Sequence, residues 1–236
     1  MLMKSNRKSK PRVYLEGDFL IKDFGNQHSE AKKVFERLNA FRRSAGTTEI
    51  NGYSVTAADA EIAHDRPGCL IMPHFEGVAI SELGEKDFEM AIRVVSAWFA
   101  QHLYKLQEYE TGCVHGDLHT GNIIIDKKGR KIVLIDALCR EARPENIWLD
   151  VLLFTVSISN RTGPTQTGNL QQMLYRDIIR DNPVLENRKL LLRQAMVLGR
   201  FFLFAARGVR ERSRAFRSLM VGVKNFMRLL SPSTRK

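Results

Sequence analysis

The segment VHGDLHTGNIII (residues 114–125) sets His115, Asp117, His119 and Asn122 within eight positions, directly ahead of a run of isoleucines. A loop carboxylate such as Asp117 can take a proton from a hydroxyl. The Asn122 side-chain carbonyl, with a second carboxylate at Asp136, offers oxygen ligands to a hard divalent cation. A cation held there would bridge nucleotide phosphates and neutralise charge that develops on them. These are the parts of phosphoryl transfer. The plainer alternative is a polar turn that caps a strand. The strand, turn and second strand that lead to Asp136 (NIIID, KKGR, KIVLID) weigh against it.

These groups need elements to hold them. RVYLEGDFLIKDF (12–24) reads as a hairpin about Glu16-Gly17-Asp18, with β-prone runs on either side. Residues 29–44 place Val34, Phe35, Leu38 and Phe41 on one helical face, with Ser29 as the expected N-cap. Two short strands follow, the second CLIMPHF. A long helix over 85–108 turns Phe88, Ala91, Ile92, Val95 and Phe99 inward. A second hairpin ends at Asp136, and everything beyond residue 145 reads as helical. A strand-rich first third therefore precedes a helical remainder, with a hinge expected near Glu76-Gly77.

HGDLHTGNIII and VLIDA resemble the catalytic and metal-binding loops of the protein-kinase-like superfamily. The nearer likeness is to its small-molecule branch: lipopolysaccharide core (Kdo/heptose) kinases and the aminoglycoside and choline phosphotransferases. It is specific over about residues 112–137, weaker but ordered from 19 to 80, and slight beyond 150. The resemblance implies an α+β, two-lobed kinase-like fold. Its parts would be a basic disordered N-terminus (1–12), a reduced β-rich nucleotide-binding N-lobe (13–76), a helical C-lobe (77–230) and a tail (231–236).

By position, Asp117 resembles the catalytic base, and Asn122 and Asp136 resemble the metal ligands. His115 resembles the structural histidine of the loop. His119 stands where a phosphate contact is expected, with a purely structural role as the alternative. Lys22 resembles the strand lysine that meets the α- and β-phosphates. Glu30 is its expected carboxylate partner, with Glu36 as fallback. Pro73, His74 and Phe75 resemble the hinge strand whose backbone meets adenine. Asp150 resembles the buried helix aspartate that braces the catalytic loop. The implied cofactors are ATP and Mg²⁺.

Three departures narrow the acceptor. Gly17 alone precedes Lys22 where a Gly-rich phosphate loop would stand. Asp136 is followed by Ala137-Leu138 rather than Phe-Gly. Thirteen residues separate Asp136 from Asp150, with no APE sequence among them. All three point to a small-molecule or glycolipid acceptor rather than a peptide. The expected activity is phosphorylation of a hydroxyl on a sugar of the lipopolysaccharide-core type. An aminoglycoside-like small-molecule kinase, a RIO-like atypical protein kinase and a pseudokinase binding module are the alternatives.

Composition bounds the rest. The chain has 236 residues, 44% of them apolar, and a net charge of +11. Residues 1–12 hold five Lys/Arg and no acid, and residues 200–236 hold ten against Glu211 alone. The middle keeps 22 bases and 25 acids. Charge gathered at the ends favours tails that meet an anionic surface over a nucleic-acid-binding body. In residues 210–230, Phe216, Leu219, Met220, Val223, Met227 and Leu230 form an apolar stripe. Arg210, Arg214, Arg217, Lys224 and Arg228 form a basic one. Such a helix packs on the core of its lobe or lies on anionic lipid. Three widely spaced cysteines, Cys69, Cys113 and Cys139, read as unpaired thiols of a reducing compartment. No signal-peptide stretch or spanning segment is evident. The expected location is cytoplasmic, with the inner membrane face as a peripheral site.

Overall fold

The computed structural model describes residues 10–109, 112–126, 128 and 130–159, with isolated positions at 173, 176 and 178. Residues 1–9, the helix expected over 210–230 and the tail expected at 231–236 lie outside the described residues.

The first hairpin pairs β1 (Arg12–Glu16) with β2 (Phe19–Asp23), antiparallel, with Val13 opposite Lys22. Gly17 turns it at φ +60°, in the left-handed region where glycine carries no Cβ penalty. α1 (His28–Ala45) follows, and its buried residues Ala31, Leu38, Phe41 and Ala45 recur at helical spacing. Ser29 is not its N-cap. The helix begins one residue earlier, Gln27 takes the cap position, and no side chain caps the turn. Gly46, at φ +63°, closes the other end with its N–H on Arg42 O.

Four strands come next: β3 (Thr47–Ile50), β4 (Tyr53–Ala57), β5 (Glu61–Ile62) and β6 (Cys69–Pro73). Reading only two there merged the β3–β4 hairpin, which turns at Asn51-Gly52, both with positive φ. β7 (Val78–Ala79) and a 3₁₀ turn lead into α2 (Glu85–Tyr109), whose Phe88, Ala91, Ile92, Val95 and Phe99 are all buried. β8 (Cys113–Val114) carries the chain into the polar loop. Then come β9 (Ile123–Asp126), β10 (Lys131–Leu134), β11 (Arg140–Glu141) and α3 (Pro144–Ser159). Pro144 suits the first turn of α3, where its missing N–H would have no helical partner.

Among the described residues the strands form three sheets, ordered β1-β2-β6-β5, β3-β4-β10-β9-β7 and β11-β8. The second draws on residues from both sides of Glu76-Gly77. β10 lies antiparallel to β9 and parallel to β4, with Ile132 opposite Val55. That parallel contact is long-range, so local pattern could not show it. One core joins Phe41 of α1, Trp98 and Phe99 of α2, Ile123 and Ile132 of the sheet, and Trp148 and Phe154 of α3. Among the described residues no helix is long and apolar enough to cross a membrane.

Candidate active site

The loop between β8 and β9 is held from beneath by two buried side chains. His115 is 1% exposed; its Nε2–H donates to Ile135 O at 2.9 Å, and its Nδ1 accepts the Asp117 N–H at 3.3 Å. Phe41 meets the ring edge-on at 5.1 Å. Burial pulls the imidazole down to about 4, so it stays neutral and keeps one donor and one acceptor. Asp150 on α3 is fully buried. Its Oδ2 accepts Gly116 N–H at 2.8 Å and its Oδ1 accepts Leu118 N–H at 3.1 Å. Burial pushes this carboxyl up to about 7, while the two N–H bonds pull it back. Gly116 itself sits at φ +83°, and a Cβ there would come 2.7 Å from Arg140 Cγ. Only glycine fits.

Above this brace the polar groups converge. Asn122 Nδ2 donates to Asp117 O at 3.0 Å and approaches Asp117 Oδ2 at 3.4 Å. Its amide oxygen therefore points away from Asp117. His119 Nδ1 accepts Gly121 N–H at 3.1 Å, which places the proton of a neutral ring on Nε2, 3.9 Å from Asp117 Oδ2. Asp136 follows β10 with a left-handed backbone, φ +55°, unusual for a residue with a Cβ. Its Oδ1 lies 2.9 Å from Lys22 Nζ, an ion pair between residues 114 apart in sequence.

Lys22 and Asp136 line a cavity of about 230 Å³, together with Val13 and Leu20 of the first hairpin and Ile124 and Ile135. Pro73, His74 and Phe75 also line it. His74 N–H donates to Asp18 O at 2.9 Å, and Phe75 O accepts Gly77 N–H at 2.8 Å, so part of that backbone is already engaged. Lys131 Nζ lies 4.6 Å from the centre of the Phe75 ring. Glu30 is half-buried in the first turn of α1; Glu36 is exposed and faces Lys32 at 4.0 Å.

A profile of the ABC1 atypical kinase-like domain matches residues 27–161, more than half of the chain. The chain belongs to the ABC1 atypical kinase-like family. Its fold is kinase-like, with a β-rich N-terminal region and a helical part. The family match takes in the braced loop, Asp136 and Asp150, and begins just after Lys22. Among solved structures, a MAP kinase from Leishmania major is similar at 12% identity and a TM-score of 0.36, over 96% of this chain and 85% of that one. No match is found among curated proteins.

One feature beside this kinase-like site escaped the sequence reading. Cys113 and Cys139 are joined as a disulfide, with Cα atoms 5.3 Å apart, and Cys69 remains a buried free thiol. An odd cysteine count thus hid a pair. The only signal was position: Cys113 stands two residues before His115, and Cys139 three after Asp136. His102 and Ser44 were missed as well. His102 Nε2 donates to Cys113 O at 3.1 Å, while Ser44 Oγ accepts the Cys113 N–H at 3.0 Å.

Proposed function

We propose that this kinase-like chain is an ATP- and Mg²⁺-dependent phosphotransferase that acts on a hydroxyl group. The observations that carry the reading are two: Lys22 and Asp136 pair across 114 positions in the lining of a largely apolar cavity, and the Asp117–Asn122 loop is tied to the residue before Asp136 through Ile135 N–H on Asn122 O. Asp117 is half-buried with 43% of its side-chain surface exposed, so it can orient an acceptor hydroxyl and take its proton. Lys22 supplies positive charge for the nucleotide phosphates, and the aliphatic faces of Val13, Leu20, Ile124 and Ile135 suit a planar base.

The donor set fits a hard cation. Asn122 and Asp136 offer oxygens as ligands, and the bond from Asn122 Nδ2 to Asp117 O leaves the amide oxygen free of Asp117. Mg²⁺ commonly takes one or two protein oxygens and completes its shell from phosphate and water, so two ligands suffice. When bound, it would neutralise charge on the phosphates.

For the acceptor we favour a small molecule or glycolipid of the lipopolysaccharide-core type. The chain runs from Asp136 to the start of α3 at Pro144 in seven residues, which leaves no extended segment to seat a peptide. The apolar and basic stripes of residues 210–230 support work at an anionic membrane face in the cytoplasm. An atypical protein kinase is an equal rival on the family match alone. A second reading, a nucleotide-binding module that transfers nothing, is favoured by the Lys22–Asp136 ion pair, which sets an ammonium where a cation would sit. The test is transfer of the γ-phosphate of ATP to a panel of sugars, lipopolysaccharide precursors and a generic protein substrate. Labelled sugar supports the favoured acceptor, and labelled protein supports the rival. ATP binding without transfer supports the module.

A further inference from the structure

The disulfide lies at the two-residue ladder that pairs Cys113 with Glu141 and Val114 with Arg140. It opens onto a second cavity, of about 610 Å³, which both sulfur-bearing residues line. Arg43 of α1 and Lys105 of α2, both exposed, also line it, as does Ser44. Among the described lining residues there is no acid. Cys113 is 6% exposed, whereas Cys139 is only partly buried. A disulfide beside two basic side chains, with one half-exposed cysteine and one buried one, has the arrangement that directs an attacking thiolate to a single sulfur.

We propose that Cys113–Cys139 is a thiol–disulfide exchange site for a small anionic thiol, and that its reduction loosens the Asp136 segment. A thiolate of the incoming molecule bonds to Cys139 Sγ, the Cys139–Cys113 bond breaks, and the electron pair leaves on Cys113 Sγ, which takes up a proton. A second thiolate then attacks the incoming molecule's sulfur in the mixed disulfide and releases Cys139 as the thiol. Two thiols are oxidised to one disulfide while the protein disulfide gains two electrons and two protons, so the step balances. Arg43 and Lys105 contribute by attracting the anion.

The consequence for the site follows from the backbone. Asp136 and Cys139 both hold left-handed φ values, +55° and +45°, which residues with a Cβ adopt only when their surroundings enforce it. Besides the disulfide, the segment is tied to the loop by Leu138 N–H and Cys139 N–H on His115 O and by the short ladder. Cutting the covalent tie lets Asp136 relax toward ordinary backbone angles, away from Lys22. The exchange itself is independent of the phosphotransferase reading, whereas the effect on nucleotide binding rests on it.

The experiment uses the full chain, purified without reductant, with glutathione as the anionic thiol and 2-mercaptoethanol as the neutral one. Alkylation of the denatured, unreduced protein should label Cys69 alone; after glutathione it should label all three cysteines, with trapped mixed disulfide on Cys139. Arg43→Gln/Lys105→Gln should slow the glutathione reaction about fivefold at low salt, as expected for lost steering of an anion, and leave the 2-mercaptoethanol rate unchanged. Three labelled thiols without reductant, adducts on Cys113, or equal slowing of both thiols would overturn the exchange site. Binding of ATP with Mg²⁺ should weaken several-fold on reduction and recover on reoxidation, and Cys139→Ser should stay at the reduced level under both conditions. Complete reduction with unchanged binding overturns the coupling. If neither form binds ATP, the phosphotransferase reading and the coupling fall together, while thiol counting still decides the exchange.

Discussion

In the loop from His115 to Asn122, main-chain N–H groups at 116, 117, 118 and 121 each find a side-chain acceptor, and most of these acceptors are buried. In β1, by contrast, all five residues are exposed, including Val13 and Leu15 at 56% and 57%. One region is fixed by hydrogen bonds that would be costly to leave unmade; the other is an edge strand with its apolar side chains in water. The groups proposed to handle the acceptor are therefore preorganised. Those proposed to handle the nucleotide base gain partners only when something fills the cavity beneath them. The contrast assigns different failures to different substitutions.

The largest effect is expected in the braced loop. Asp117→Ala should lower transfer by about 10²–10⁴-fold, the usual loss for a positioned general base, and leave ATP affinity within a few-fold. Single-turnover kinetics beside nucleotide titration checks both. Turnover at the wild-type rate would remove Asp117 from the role.

Next comes the brace. Asp150→Ala strips the acceptor from two buried N–H groups and should cost roughly 3 kcal/mol of stability, at about 1–3 kcal/mol for each unsatisfied donor. Chemical denaturation reads this directly. A loss below about 1 kcal/mol would mean that the loop is held by something else.

The pH dependence follows from the same buried groups. His102 and His115 are pulled from 6.5 down to about 4, mainly by burial. Their contribution is complete above pH 6.5 and is lost as pH falls from there through about 4. Asp150 acts oppositely: raised from 3.8 to about 7, it favours the folded state more as pH falls through that range. Two losses against one offset leave a net decline on the order of 2 kcal/mol between pH 7 and 4. Asp150→Asn should steepen it, since the offset disappears. If the histidines were accessible to water, denaturation curves at half-unit pH steps would instead show stability rising as pH falls, from Asp150 alone.

The smallest stability effect belongs to the exposed strand. Val13→Ser and Leu15→Ser should each shift stability by no more than about 0.5 kcal/mol, as exposed sites do. Val13→Ser should nonetheless weaken ATP binding a few-fold, because Val13 lines the cavity. Equal ATP affinity in this variant would mean that β1 does not roof the site.

The sequence made the local parts of this arrangement legible. The hairpin at Gly17, helices with apolar spacing of three and four, and the His-x-Asp-x(4)-Asn motif all act through near neighbours. Much of what it concealed depends on residues far apart, although the Asn51-Gly52 hairpin is local. β10 joins β4 across some 77 positions, Lys22 meets Asp136 across 114, and Cys113 meets Cys139 across 26. The absent side-chain cap on α1 is a smaller case: Ser29 had the right chemistry two positions after the cap at Gln27. Asp150 was readable only through a family likeness, because a lone aspartate in an apolar helix carries no pattern that says which N–H groups it meets.

The most direct test of the central claim, that Asn122, Asp136, Lys22 and Asp117 form one metal-dependent transfer site, is a Mg²⁺ titration of ATP binding and turnover in wild type and Asp136→Asn. The substitution keeps the shape of the side chain and removes one charge from the cation and from the Lys22 contact. The account predicts lower activity and a higher Mg²⁺ requirement in the variant, with residual ATP affinity recovered at high Mg²⁺. An unchanged Mg²⁺ dependence of both readouts would contradict it.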